Sequence, residues 1–248
     1  MARNSYFAFK QFRIDQGECA MKVTTDACIF GALIAESSGL RHSQTILDIG
    51  AGTGLLSLMA AQNCSGKITA VELDEEASQQ AVSNFAASPW ADQLQLVNSA
   101  IQIFSATSQQ RFDCIISNPP FFQQSFKGDD QRRNMARHTD SLSFTDLARV
   151  ISRHLAATGE AWILLPVEST QHFLKAAATE GLGLIKQIGL RSSSRHGNHR
   201  YILVLNRDKP LETQEETVTI YTQPPHYTEE TRQLMSPYYL ALQEADRE

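Results

Sequence analysis

A chain of 248 residues, 42% of them hydrophobic, is long enough to bury one full core, so a single domain over 1–248 is expected. Its formal charge of −5 argues against a protein that coats nucleic acid nonspecifically, and no run of about 18 apolar residues offers a membrane span. Met1-Ala2-Arg3-Asn4-Ser5 is not a signal peptide and the four cysteines form no C-x-x-C pair, so a soluble cytoplasmic protein with reduced core thiols is expected.

Tyr6 to Ile14 is rich in aromatics, Asp15-Gln16-Gly17 has turn chemistry and Cys19 to Val23 is extended in character. Together they predict an N-terminal hairpin cap over 1–25. Asp26 is expected to cap an apolar helix running through Ala35. Strands follow at Thr45 to Ile49 and Lys67 to Val71, with helices at Thr53 to Gln62 and, capped by Asp74, at Glu75 to Ala87. Further strands are predicted at Leu94 to Val97, Phe112 to Ser117 and Ala161 to Leu165, and helices near Phe144 to Leu155 and Ser169 to Ala178. This alternation implies a parallel α/β sheet with helices on both faces. Leu182 to Leu190 and Arg200 to Leu205 are joined by a linker too short for a helical crossover, so they must form an antiparallel hairpin. Seven sheet strands result, followed by an acidic extension over 207–248.

The first sheet strand, ending at Asp48-Ile49, runs into Gly50-Ala51-Gly52-Thr53-Gly54 and then a helix. Glycines let a backbone turn sharply and approach a ligand closely. A dinucleotide loop of form G-x-G-x-x-G needs glycine where Leu55 stands, which weakens a nicotinamide reading. Glu72, 18 residues beyond Gly54, ends the next strand, where a carboxylate can accept ribose hydroxyls. Asp48 is expected to face a ligand's ammonium directly or through water. The pattern from Asp48 to Gly54 resembles the loop of class I S-adenosylmethionine-dependent methyltransferases, which implies a Rossmann-like fold and S-adenosylmethionine as cofactor.

Asn118-Pro119-Pro120-Phe121 follows the fourth strand. An exocyclic amino group is a poor nucleophile because its lone pair is delocalised into the ring. The Asn118 side-chain oxygen and the Pro119 carbonyl offer two acceptors that orient such a nitrogen. Prolines stiffen the strand end, and Phe121, with Phe122, offers a stacking face worth about 1–3 kcal/mol per base. The tetrad resembles that of methyltransferases acting on adenine N6, guanine N2 or a glutamine amide, and identifies an atom type instead of one substrate.

Basic residues cluster in three places: Lys127, Arg132, Arg133 and Arg137 after the tetrad; Arg191, Arg195 and Arg200 with His196 and His199 in the hairpin; and Arg3, Lys10, Arg13 and Lys22 near the start. Three clusters around one cleft favour a polyanion. The two histidines lack further ligands nearby, and no metal is expected.

Beyond the class, the chain resembles the bacterial family that methylates adenine N6 at position 37 of a valine tRNA. The resemblance is carried by Phe9-Lys10-Gln11-Phe12, Cys19 to Val23 with Thr25-Asp26, Leu47 through Leu56, Ala70-Val71-Glu72, Ser88-Pro89-Trp90-Ala91 and Phe112 through Pro120. It covers residues 9 to 121 closely and the rest loosely. It implies an anticodon stem-loop substrate and donor contacts from Lys22, Thr24, Thr25, Asp26, Asp48, Gly50, Ala51, Gly52, Gly54, Glu72, Leu73, Ser99, Ala100 and Asn118. The segment from Lys22 to Asp26 is then expected to cover the donor. Catalysis is expected from Asn118, Pro119, Pro120 and Phe121, and substrate binding from Phe121, Phe122, Arg132, Arg133, Arg137, Arg191, Arg195 and Arg200. The family tends to place an aspartate where this chain has Ala100, a loss of about 1.5–3 kcal/mol in donor affinity unless a neighbour compensates. A ribosomal guanine N2-methyltransferase, a protein glutamine methyltransferase and a non-catalytic RNA chaperone remain alternatives. A monomer is favoured.

Overall fold

Strand and helix alternate along the chain to build one sheet of eight strands in the computed structural model, which describes residues 5–17, 22–119, 142–208, 210 and 212–240. Strands β1 (Tyr6–Ala8) and β2 (Arg13–Asp15) pair antiparallel. Helices α1 (Thr25–Glu36) and α2 (Ser38–His42) lead to β3 (Thr45–Ile49), α3 (Leu55–Ala61), β4 (Lys67–Glu72) and α4 (Glu75–Ala86). Then come β5 (Leu94–Asn98), α5 (Ile101–Thr107) and β6 (Phe112–Ser117). The helix Phe144–His154 passes directly into β7 (Leu155–Pro166), and the helix Val167–Thr179 precedes β8 (Gly183–Arg191) and β9 (Arg200–Asn206). β10 (Gln214–Thr219), β11 (Tyr221–Gln223), β12 (His226–Tyr227) and the helix Glu229–Met235 complete the described elements.

The sheet order is β10-β8-β9-β7-β6-β3-β4-β5. Strands β3 to β7 are parallel to one another, and β8 and β9 form the antiparallel hairpin expected from the short linker. All seven expected strands are present, and β10 is added to them. It lies within the expected acidic extension, and Gln-Glu-Glu-Thr-Val-Thr holds a single large apolar residue. That residue, Val218, is buried opposite Leu190, and the strand joins β8 in parallel as a sheet edge. Exposed Glu215 and Glu216 charge that edge, a common guard against further strand pairing.

Side chains alternate between two cores. Ile46, Cys114 and Ile116 pack toward α1 and α3, whereas Leu47, Ile49 and Ile115 pack toward the helices at 101–107, 144–154 and 167–179. That alternation is the period of a strand buried on both faces.

The N-terminal hairpin turns earlier than its composition suggests. Asp15 pairs with Tyr6, and the turn lies over Phe9 to Phe12, closed by Phe9 N donating to Phe12 O at 2.8 Å. Phe9 and Phe12 stack at 4.5 Å, Phe9 bridges to Tyr239, and the Lys10 amide donates to Tyr238 O. The chain up to residue 240 thus packs on the core and braces this turn. Helix α1 begins with Thr24, whose hydroxyl accepts from Ala27 N at 3.3 Å, so Asp26 lies inside the first turn and is not the cap.

Candidate active site

The C-terminal ends of β3, β4, β5, β6 and β7 form one rim, the usual ligand side of an open α/β sheet. Antiparallel pairing brings the start of β9 to the same rim, since Arg200 is opposite Pro166. The rim is stitched sideways. Ser117 Oγ donates to Ile49 O at 2.8 Å, Gly50 N and Ala51 N donate to Val71 O, and Ser99 N donates to Glu72 O.

Gly50, Gly52 and Gly54 all have positive φ, at 72°, 55° and 85°. A Cβ on Gly50 or Gly52 would meet no atom within 4 Å, so the loop borders open space where a ligand can lie against bare backbone. Gly54 differs: a Cβ there would stand 2.3 Å from the Phe85 ring. Its absence lets α3 and α4 approach, and Gly54 serves packing at the start of α3. Gly54→Ala is expected to cost about 2–4 kcal/mol from left-handed strain plus overpacking, measured by urea unfolding. A loss below 1 kcal/mol would show that Phe85 moves aside freely.

Glu72 accepts from Gly52 N at 2.8 Å through Oε2 and from Asp74 N at 2.9 Å through Oε1. A carboxylate offers about four lone-pair sites, so two remain for hydroxyls of a ligand. Asp48 is fully buried. One oxygen accepts from Ser57 Oγ at 2.7 Å, and Oδ1 finds no donor among the described residues. Burial above all, with the Glu72 charge adding to it against the Ser57 hydrogen bond, pushes this carboxyl from 3.8 up to about 7. An unpaired buried acceptor beneath an open glycine loop fits a cationic ligand group, as the ammonium of S-adenosylmethionine would supply.

Beyond Ser117 stand Asn118, half-buried, and Pro119, buried. Pro120, Phe121, Phe122, Lys127, Arg132, Arg133 and Arg137 lie outside the described residues, as do Arg3 and Cys19. The Asn118–Pro119 step therefore leaves the rim beside the glycine loop, because Ser117 is in register with Ile49.

Lys22 Nζ donates to Gln16 O, and the Thr24 hydroxyl is the α1 cap. Thr25 follows, and Asp26 accepts from His199 Nε2 at 3.1 Å and lies 3.5 Å from Arg200 Nε. The start of α1 is thereby tied to the β9 end of the rim. Arg191 Nε donates to Thr219 Oγ1 at 2.8 Å, and Arg195 is exposed. Leu73 is exposed beside Glu72; Ser99 Oγ donates to Ala100 O; and Ala100 starts α5 without a side-chain cap. The third basic cluster is largely committed elsewhere, since Lys10 Nζ donates to Ser236 O and Arg13 bonds Asp15 and covers the Tyr6 ring. Among the described residues no group of three His, Cys, Asp or Glu is gathered for a metal, and no helix is long and apolar enough to cross a membrane.

Sequence reasoning missed four polar side chains that hold this site: Ser117, Asn84, Asn98 and Gln16. The Asn98 amide donates to Glu72 O, Leu73 O and Ser78 Oγ, fixing the turn behind Glu72. The one available signal for Ser117 was a hydroxyl closing an otherwise apolar strand end.

The arrangement has known counterparts. Residues 29–165 match the methyltransferase small domain. The tRNA1(Val) (adenine(37)-N6)-methyltransferase of Shewanella sp. (strain MR-4) is 41% identical over 238 residues, covering 95% of this chain and 99% of the relative. The enzyme of that description from Cytophaga hutchinsonii is 36% identical over 240 residues, covering 96% and 99%. Among solved structures, a predicted O-methyltransferase from Agrobacterium tumefaciens shares the fold with a TM-score of 0.66 at 14% identity, covering 86% of this chain and 96% of that one. A ribosomal protein L11 methylase from Lactobacillus delbrueckii subsp. bulgaricus has a TM-score of 0.55 at 16% identity, covering 79% and 84%. With its glycine loop, paired carboxylates and asparagine-proline rim, the chain belongs to the small-domain methyltransferases and, within them, to the tRNA1(Val) (adenine(37)-N6)-methyltransferase family.

Proposed function

We propose that this protein, acting as one cytoplasmic domain, methylates N6 of adenine 37 in a valine tRNA from S-adenosylmethionine. One observation carries the reading: Ser117 locks the tip of β6, which continues into Asn118 and Pro119, to the tip of β3, which continues into the glycine loop. A donor resting on the loop and an amino group held by Asn118 are then neighbours.

When bound, S-adenosylmethionine would supply a sulfonium methyl group to the amino nitrogen, the methyl–sulfur bond breaking as the nitrogen–carbon bond forms and S-adenosylhomocysteine being the leaving group. Glu72, already bonded to Gly52 N, would hold ribose hydroxyls, the unpartnered Asp48 oxygen would face the ammonium, and open Gly50 and Gly52 would leave room for the chain between them. Asn118 Oδ1 and the Pro119 carbonyl accept the two amino hydrogens, so the nitrogen lone pair points along the axis of displacement. The surplus proton leaves to water after transfer, and no general base is required. An adenine must leave its stack to reach such a rim, which is easiest in a loop. Arg195 and Arg200, with Arg191 behind them, supply positive charge on the substrate side of the rim for RNA phosphates.

Purified protein, S-adenosylmethionine and unmodified valine tRNA are expected to give one N6-methyladenosine at position 37, read by digestion and mass spectrometry. Methylation of guanine N2, or of protein glutamine with the tRNA unchanged, would overturn the substrate. Binding of tRNA without any transfer would overturn the enzyme.

A further inference from the structure

Asn84 lies on α4, the helix after Glu72, and is 2% exposed. Its amide makes three hydrogen bonds of good length. Oδ1 accepts from Asp15 N at 3.0 Å, and Nδ2 donates to Asp15 O at 3.0 Å and to Thr53 O at 2.9 Å. The first two reproduce what a neighbouring strand would offer Asp15. The third reaches into the glycine loop, so one buried side chain joins α4, the N-terminal hairpin and the loop.

The linkage continues through the next residue. Gln16 Oε1 accepts from Val23 N at 2.8 Å and Gln16 O accepts from Lys22 Nζ, which returns the chain to the start of α1. Thr24 then caps α1, whose Asp26 pairs with His199 and Arg200. A continuous line thus runs from Thr53 through Asn84, Asp15, Gln16 and Val23 to Thr24. Phe85, beside Asn84 in sequence, packs against Gly54 and fixes the same loop from below.

We propose that Asn84 is a positioning residue for the methyl donor: it sets the separation between the glycine loop and the segment at 22–26 without touching the donor. The geometry allows no simple substitute. Alanine would leave the buried Thr53 carbonyl and both half-buried Asp15 backbone groups without this partner, and a carboxylate would face two carbonyls. The loop and the hairpin would then drift apart, and a ligand gripped by both would lose affinity. The transfer step depends on Asn118, which none of these hydrogen bonds involves, and is spared. This inference rests on the methyl-donor reading.

The test compares wild type with Asn84→Ala and Asn84→Ser, at a temperature where thermal melts show each to be folded. Calorimetric affinity for S-adenosylhomocysteine and the donor KM are expected to weaken about tenfold or more. The value of kcat at saturating donor and the affinity for valine tRNA are expected to stay within about twofold. Wild type that fails to bind S-adenosylhomocysteine would overturn the donor reading and this inference together. Wild type that binds, with folded variants binding equally well, would overturn this inference alone. So would parallel loss of donor affinity, kcat and tRNA affinity, or failure of both variants to fold, since either marks a residue needed only for structure.

Discussion

Asn118→Ala is expected to lower kcat about a hundredfold or more while leaving S-adenosylhomocysteine affinity within about threefold. The reason is a division of labour along the rim. On the proposed reading the donor is held at the ends of β3 and β4, through the glycine loop, Asp48 and Glu72, whereas Asn118, which follows β6, acts chiefly on the nucleophile. Removing its oxygen leaves one acceptor, the Pro119 carbonyl, and the amino group can rotate out of line. Asn118→Asp keeps an acceptor and should retain more activity than alanine. Single-turnover methylation of valine tRNA with calorimetry on each variant checks both parts. An alanine variant at wild-type rate would remove the tetrad from the chemistry.

How far this site was legible in the sequence depended on whether its parts are local. The glycine loop is readable because three glycines within five residues mark a backbone that must adopt positive φ, and all three do. Asp48 and Glu72 are readable because each stands at or next to the end of a strand that leads into a turn. Ser117 and Asn84 were not readable. Their bonds span 68 residues, to Ile49, and 69 residues, to Asp15, and nothing next to either residue announces the partner. The same contrast explains the fold. The turn at Phe9 to Phe12 contains no glycine, proline or asparagine and is held by ring stacking and Tyr239, while Asp15-Gln16-Gly17, which has turn composition, is engaged by Asn84. Tertiary contacts there override local propensity. β10 escaped notice because burial of Val218 alone gives no alternation to read. Helix α5 follows an N-cap residue, Ala100, that carries no capping group to mark its start.

Asp48→Asn is expected to make the ligand-free protein more stable at pH 8 and to abolish tight donor binding. The carboxyl stands at about 7 in the folded protein against an ordinary 3.8, so the folded state holds its proton more tightly than the unfolded state does. Below about pH 4 the group is neutral in both states and costs nothing. As pH rises from about 4 to about 7 the unfolded chain ionises freely while the folded one resists, and stability falls by on the order of 4 kcal/mol. Asparagine keeps the acceptor for Ser57 and cannot ionise, so its advantage should be large at pH 8 and vanish near pH 4. Donor binding runs the opposite way. An ammonium needs the ionised carboxylate, so wild-type affinity for S-adenosylhomocysteine should fall about tenfold for each pH unit below 7. The asparagine variant should bind more than about a hundredfold more weakly at pH 7.5 and show a flat profile. Thermal melts and calorimetry from pH 5.5 to 8 read both trends. A wild-type affinity indifferent to pH, or an asparagine variant no more stable at pH 8, would mean that the buried oxygen does not hold the charge that draws the donor in. A site that is unstable when empty and satisfied when filled stores in Asp48 part of the free energy by which it selects a cation.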